Sequence, residues 1–216
     1  MRTTFFLLAL PVAVLAISSC KKTEEPQVFP PVIYPNYSQL KVGNYWIYQE
    51  FDIAASGVST PKDVFDSCYI EKDTLIGGEK YFKMVKPSVI TITENIYLRD
   101  SLHYLITSTG SILFSSQDFI SIFSSYAYVI ETADTICTVE KKMNDQQVTV
   151  NTPAGSYQTL VATETFNMYP GWTAAGNPRV KNTCYAENIG VVTETLPFYQ
   201  SLPTYVERRL VRYHLN

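Results

Sequence analysis

From residue 40 onward the chain alternates apolar and polar side chains with a period of two, the spacing of strands with one covered face. Leu40-Lys41-Val42-Gly43-Asn44-Tyr45-Trp46-Ile47-Tyr48 places a Gly-Asn turn before an aromatic strand. Trp46 and Tyr48 share one face of it, Tyr45 and Ile47 the other. That face suits a sugar-binding platform, although such aromatics more often pack into a core. Further strands are expected over 64–72, 89–93, 96–99, 102–107, 112–114, 127–132, 135–141, 147–151, 159–166, 181–186, 189–193 and 205–213. Gly77-Gly78 between extended residues marks a hairpin, because both positions of such a turn take φ > 0. One stretch departs from the pattern. Phe119, Ile120, Ile122, Phe123 and Tyr126 fall at helical spacing behind Ser115, Ser116 and Asp118, residue types that cap helices, so a short helix is expected over 117–125. Roughly a dozen strands at 8–12-residue spacing indicate an all-β domain. The expected fold is mostly β: a single domain over 40–216, a curved antiparallel sheet or half-open barrel with one short helix, or alternatively a β-sandwich.

Composition agrees. Sixteen Tyr and eleven Phe tilt the chain towards strands. The formal net charge is −3, and the basic residues cluster no further than Lys21-Lys22, Lys141-Lys142 and Arg208-Arg209. Nucleic acid is therefore excluded as a partner, since its footprint needs clustered Lys and Arg.

The first residues read differently. Arg2 precedes an apolar run from Phe5 to Ile17, which ends in Ser18-Ser19-Cys20-Lys21. The run is too short for a bilayer span of about 20 apolar residues and has the layout of a signal peptide. Ile17-Ser18-Ser19-Cys20 resembles a bacterial lipobox. That resemblance implies cleavage after residue 19 and lipid on Cys20, hence a membrane partner through the N-terminal lipid. Lys21 stands where inner-membrane lipoproteins carry Asp, which implies the outer membrane, on its periplasmic side or at the cell surface. Lys22-Thr23-Glu24-Glu25 resembles the surface-export signal of Bacteroidetes lipoproteins and reads equally as a solvated linker. Pro26, Pro30, Pro31 and Pro35 make 20–39 a semi-rigid tether.

Three later pieces, Leu40 to Trp46, Thr152-Pro153-Ala154-Gly155-Ser156-Tyr157 and Tyr185-Ala186-Glu187-Asn188-Ile189-Gly190-Val191-Val192, together resemble uncharacterised Bacteroidetes lipoproteins. The last two also resemble periplasmic domains related to the lipoprotein-carrier half-barrel, which implies a curved sheet and says nothing of a catalytic site. Asp73-Thr74, Asp100-Ser101 and Asp134-Thr135, each followed by an aliphatic residue, resemble the Bacteroidetes O-glycosylation pattern. Thr74, Ser101 and Thr135 are the implied acceptors. Asp-Ser and Asp-Thr pairs are equally at home where strands turn.

With Cys20 assigned to lipid, Cys68, Cys137 and Cys184 remain, an odd number that permits one disulfide and a free thiol. Their spacing is not that of a zinc site, and no cofactor or metal motif occurs. His103 and His214 are the only histidines, and G-x-S-x-G is absent. The expected function is a non-catalytic binding or accessory module of the envelope, meeting an apolar ligand, a glycan or another envelope protein. The alternatives are a carrier or sensor of a lipid or other apolar molecule, which needs a cavity between the sheet and 117–125, and a hydrolase that unites His103 or His214 with carboxylates.

Overall fold

The computed structural model describes residues 32–87, 93–129, 134–144, 147–196 and 204–216. The signal peptide, Cys20, the tether as far as residue 31 and most of the strand expected at 89–93 lie outside the described residues. From Ile33 to Asn216 the chain is one compact unit.

Among the described residues thirteen strands form a single antiparallel sheet: β1 (Tyr45–Ile53), β2 (Ser59–Ile76), β3 (Glu79–Pro87), β4 (Thr93–Ser101), β5 (Tyr104–Thr107), β6 (Ile112–Ser115), β7 (Ser124–Val129), β8 (Thr135–Met143), β9 (Val148–Thr152), β10 (Gly155–Met168), β11 (Arg179–Ala186), β12 (Gly190–Thr195) and β13 (Tyr205–His214). Their order is β6-β5-β4-β3-β2-β1-β13-β12-β11-β10-β8-β7, with β9 on β10. β1 joins the two halves: it pairs with β2 on one edge and with β13 on the other. The sheet curls until its halves meet, giving a nearly closed barrel. Leu98, Leu105 and Phe114 of β4–β6 share one core with Met143, Leu160, Ala162 and Tyr185 of β8, β10 and β11. The Phe114 and Tyr185 rings lie 4.4 Å apart across the junction.

A second core holds Trp46, Tyr48, Ile70, Val192 and Leu210. The aromatic pair on β1 is thus core: both side chains are only 2% exposed. Trp46 Nε1 donates to the Ile189 carbonyl at 2.7 Å and the Tyr48 hydroxyl to the Val191 carbonyl at 2.9 Å, tying β1 to β12 across β13. The Gly77-Gly78 hairpin forms as expected, with φ of 60° and 86°.

The helix expected over 117–125 does not form. Ser115 Oγ accepts from the backbone N–H of Gln117 and Asp118, and Asp118 Oδ1 from those of Ile120 and Ser121. The polar side chains act as caps, but of two consecutive turns with no helix behind them. The Phe123 N–H then donates to the Lys141 carbonyl at 2.7 Å, and β7 joins the sheet on β8. Pairing with an existing strand satisfies more backbone groups than an isolated helix of about two and a half turns could. Among the described residues the one helical element is a short 3₁₀ turn at Thr173–Ala175.

Residues 33–39, expected to belong to the tether, are docked. The Ser38 hydroxyl donates to Asp100 at 2.7 Å, the Asn188 N–H donates to the Asn36 carbonyl at 2.7 Å, and the Tyr37 ring packs 5.1 Å from that of Phe114.

Candidate functional site

The barrel holds a cavity of about 490 Å³ that is partly open to solvent. Its two sides differ in chemistry. Met84, Ile96, Leu98, Leu105 and Leu113 of β3–β6 form an apolar patch on one side, bordered by Lys86, Glu94, Asn95, Thr107 and Ser108. Opposite them, Lys141, Glu164, Lys181, Glu194 and Arg208 project from β8 and β10–β13.

Strand register creates this charged wall. Side chains directly opposite on paired antiparallel strands share a face. Glu164 of β10 is opposite Lys141 of β8 and Lys181 of β11, and its carboxylate accepts from both, at 3.2 and 3.4 Å. Glu194 of β12 is opposite Arg208 of β13. One extra residue enters β12 at Val192, where Cys184 pairs with Thr193 but Tyr185 with Val191. This bulge lets Val191 and Glu194 both line the cavity, because an inserted residue shifts the alternation of faces. Arg208 Nη2 donates to Glu194 and Nη1 to Asp66 Oδ1 at 3.4 Å, and the guanidinium lies 4.7 Å from the centre of the Tyr48 ring. Read strand by strand, Lys141, Glu164, Lys181, Glu194, Arg208 and Asp66 alternate in sign around the interior. At the rim, Lys86 meets Glu94 at 3.5 Å.

The electrostatics follow from this layout. Burial drives the Glu194 carboxyl up, yet Arg208, Lys86 and Lys181 together outweigh it and hold the group at about 2. For Glu164, burial is likewise opposed by Lys181 and Lys141, and its pKa falls below the ordinary value. Burial pushes the Lys141 ammonium down in spite of Glu164. Asp66 is raised, because its burial outweighs the attraction of Arg208. Arg208 Nε is buried and has no hydrogen-bond partner.

The residues singled out in the sequence lie mostly elsewhere. Cys68, Cys137 and Cys184 are buried free thiols, so no disulfide joins any two of them; burial raises the pKa of each. Cys68 alone touches the charged wall, accepting weakly from Arg208 at 3.5 Å. Thr74, Ser101 and Thr135 are half-buried, within β2, at the end of β4 and at the start of β8. His214 is exposed, its Nε2 3.2 Å from Asn216 Oδ1. His103 lines a separate cavity of about 190 Å³ that also reaches Asp100. Its Nδ1 is 2.9 Å from Ser115 Oγ, but that hydroxyl is 0% exposed and already holds two backbone N–H groups. It is a structural acceptor and not a nucleophile within reach of substrate. Among the described residues, no group of three or more His, Cys, Asp or Glu side chains is placed to hold a metal ion.

The charged wall escaped the sequence reading, although a signal was present. Lys141 has the strand parity of Val139 and Met143, and Glu164 that of Ala162 and Phe166, all four of them buried. A charge in step with core residues is a charge pointing inward.

No family model matches this sequence, and no curated protein matches it. Two crystal structures resemble the fold. One is of a "putative lipoprotein" from Parabacteroides distasonis, with a TM-score of 0.48 and 9% identity over 83% of this chain and 99% of that one. The other is of a "putative exported protein with YmcC-like fold" from Bacteroides fragilis, with a TM-score of 0.47 and 10% identity over 84% of this chain and 100% of that one.

Proposed function

We propose that the protein is a cell-envelope binding module, held at the outer membrane by lipid on Cys20, which takes a small molecule into its barrel without transforming it. The observation that carries this reading is the interior cavity of about 490 Å³, a size typical of small-molecule sites. A non-catalytic role is supported by the state of the lining. Glu164 and Glu194 are ion-paired and held ionised by neighbouring cations, so neither is poised to exchange a proton near neutrality. The anchor is supported by the run from Arg2 to Cys20.

Native mass spectrometry of the chain purified from its own membrane tests both parts. The expected result is a lipid mass on Cys20 and a small molecule released on denaturation. Ile96→Trp, which fills the cavity, is expected to lose the small molecule and keep the lipid, with an unchanged circular dichroism spectrum. A wild-type chain with an empty barrel overturns the binding role, and an unmodified Cys20 overturns the anchor.

A further inference from the structure

The two walls of the cavity differ in a way that specifies a ligand. We infer that the barrel binds an amphiphile with a single anionic head, which sits among Lys141, Lys181 and Arg208 while the tail lies along Met84, Ile96 and Leu105. This rests on reading the barrel interior as a ligand site, and it names the class of molecule bound there.

The charge count on the cavity surface is uneven. Lys86, Lys141, Lys181 and Arg208 line it against Glu94, Glu164 and Glu194. Asp66, the second partner of Arg208, is not part of the lining. Lys141 and Lys181 share one carboxylate, that of Glu164. Arg208 is only 5% exposed, lines the cavity, and keeps a buried Nε–H without an acceptor. That Nε–H has essentially no accessible surface, so the donors a ligand head reaches first are the Lys141 and Lys181 ammonium groups, whose side chains are 16% and 18% exposed against 6% for Arg208. Burial also holds Lys141 low beside Glu164, as expected of a cation short of negative charge. A purely hydrocarbon ligand would cover these ions and give nothing back. A purely polar one would leave the leucine and methionine wall uncovered. An amphiphile satisfies both sides, and a carboxylate or a phosphate head offers the same acceptor oxygens.

The test uses the full-length chain with Cys20→Ala, so that no lipid is attached, and with its methionine methyl groups isotopically labelled for NMR. Met84 lines the cavity, whereas Met168 belongs to a separate apolar cluster with Ile136 and Val139. Laurate, dodecyl phosphate and dodecanol are titrated in turn. Laurate or dodecyl phosphate is expected to move the Met84 signal saturably and leave Met168 in place, the tighter of the two identifying the head. Dodecanol is expected to bind about tenfold more weakly or worse, as the loss of one ion contact implies. Lys181→Gln is expected to weaken the anionic probe about tenfold and leave dodecanol unchanged. Glu164→Gln, which frees both lysines, is expected to tighten the anionic probe, a gain that a damaged fold would not produce. Dodecanol binding as tightly as the anions, or Glu164→Gln weakening them, overturns the head-group assignment alone. A Met84 signal unmoved by all three probes overturns the interior ligand site itself.

Discussion

Glu194 and Arg208 face each other across β12 and β13 and turn their side chains into the barrel, where the guanidinium donates to the carboxylate. Their side chains are 15% and 6% exposed. Removing one partner leaves an uncompensated buried charge, which costs about 3–5 kcal/mol, whereas replacing both with well-packed groups can be nearly neutral. Arg208→Met is therefore expected to destabilise the chain by about 3–5 kcal/mol in urea unfolding. Arg208→Met with Glu194→Leu is expected to recover part of that loss, the remainder belonging to Asp66, which is left without its cation. A double variant no more stable than the single one would show that the pair does not act as a unit.

The same pair sets the acid limit of stability. Glu194 falls from an ordinary 4.5 to about 2 in the folded chain. A depressed carboxyl contributes stability that is complete above its unfolded pKa and lost as pH falls through its folded one. The wild type is thus expected to lose about 3 kcal/mol through this group between about pH 4.5 and pH 2. Asp118, also at about 2 because the Ser121 backbone N–H donates to it, acts in the same direction. Asp66 and Asp100, both raised by burial, act in the opposite one. Urea midpoints measured from pH 5 to pH 2 are expected to fall less steeply for Glu194→Gln than for the wild type.

Gly190 sits where a side chain would be both strained and crowded. Its φ is +102°, and a Cβ there would lie 3.2 Å from Trp46 Nε1. Left-handed backbone strains any other residue by about 1–3 kcal/mol. Gly190→Ala is expected to lose at least that in chemical denaturation and to push the indole off the Ile189 carbonyl. A change in tryptophan emission follows, because buried Trp46 reports it while Trp172 is already 37% exposed.

The free thiols are countable. Cys68, Cys137 and Cys184 are buried with raised pKa, so little thiolate is available for reaction. In a chain whose Cys20 is replaced, a thiol reagent is expected to titrate almost nothing in the native state and all three once urea unfolds the protein. A single reactive thiol in urea would reveal a disulfide between the other two.

Most of the sheet was readable because its signals are local. The Gly77-Gly78 turn and the alternation through Trp46 and Tyr48 each lie within one short window. The stretch around Phe119 misled for the same reason: its helical spacing is local, while the acceptor that ended the contest, the Lys141 carbonyl, belongs to a distant strand. The cavity was illegible for a deeper reason. It depends on β4–β6 curling back over β8, β10 and β11, and on the Val192 bulge that aims Glu194 inward. Neither is a property of any one segment. The docking of Tyr37 and Ser38 was hidden too, since their partners Phe114 and Asp100 lie far along the chain.

The charged wall also guards the assembly of the sheet. A strand that slips by one residue is punished at once, because its apolar face turns to water. A slip by two keeps every side chain on its proper face, and hydrophobic alternation cannot forbid it. Here it is forbidden electrostatically. Moving β10 two places along β8 would bring Glu164 opposite Val139 or Met143 and strand Lys141 against Ala162 or Phe166. Lys141 would be buried without its carboxylate and Glu164 would be left with Lys181 alone, so the row of alternating signs favours one alignment of β10 on β8.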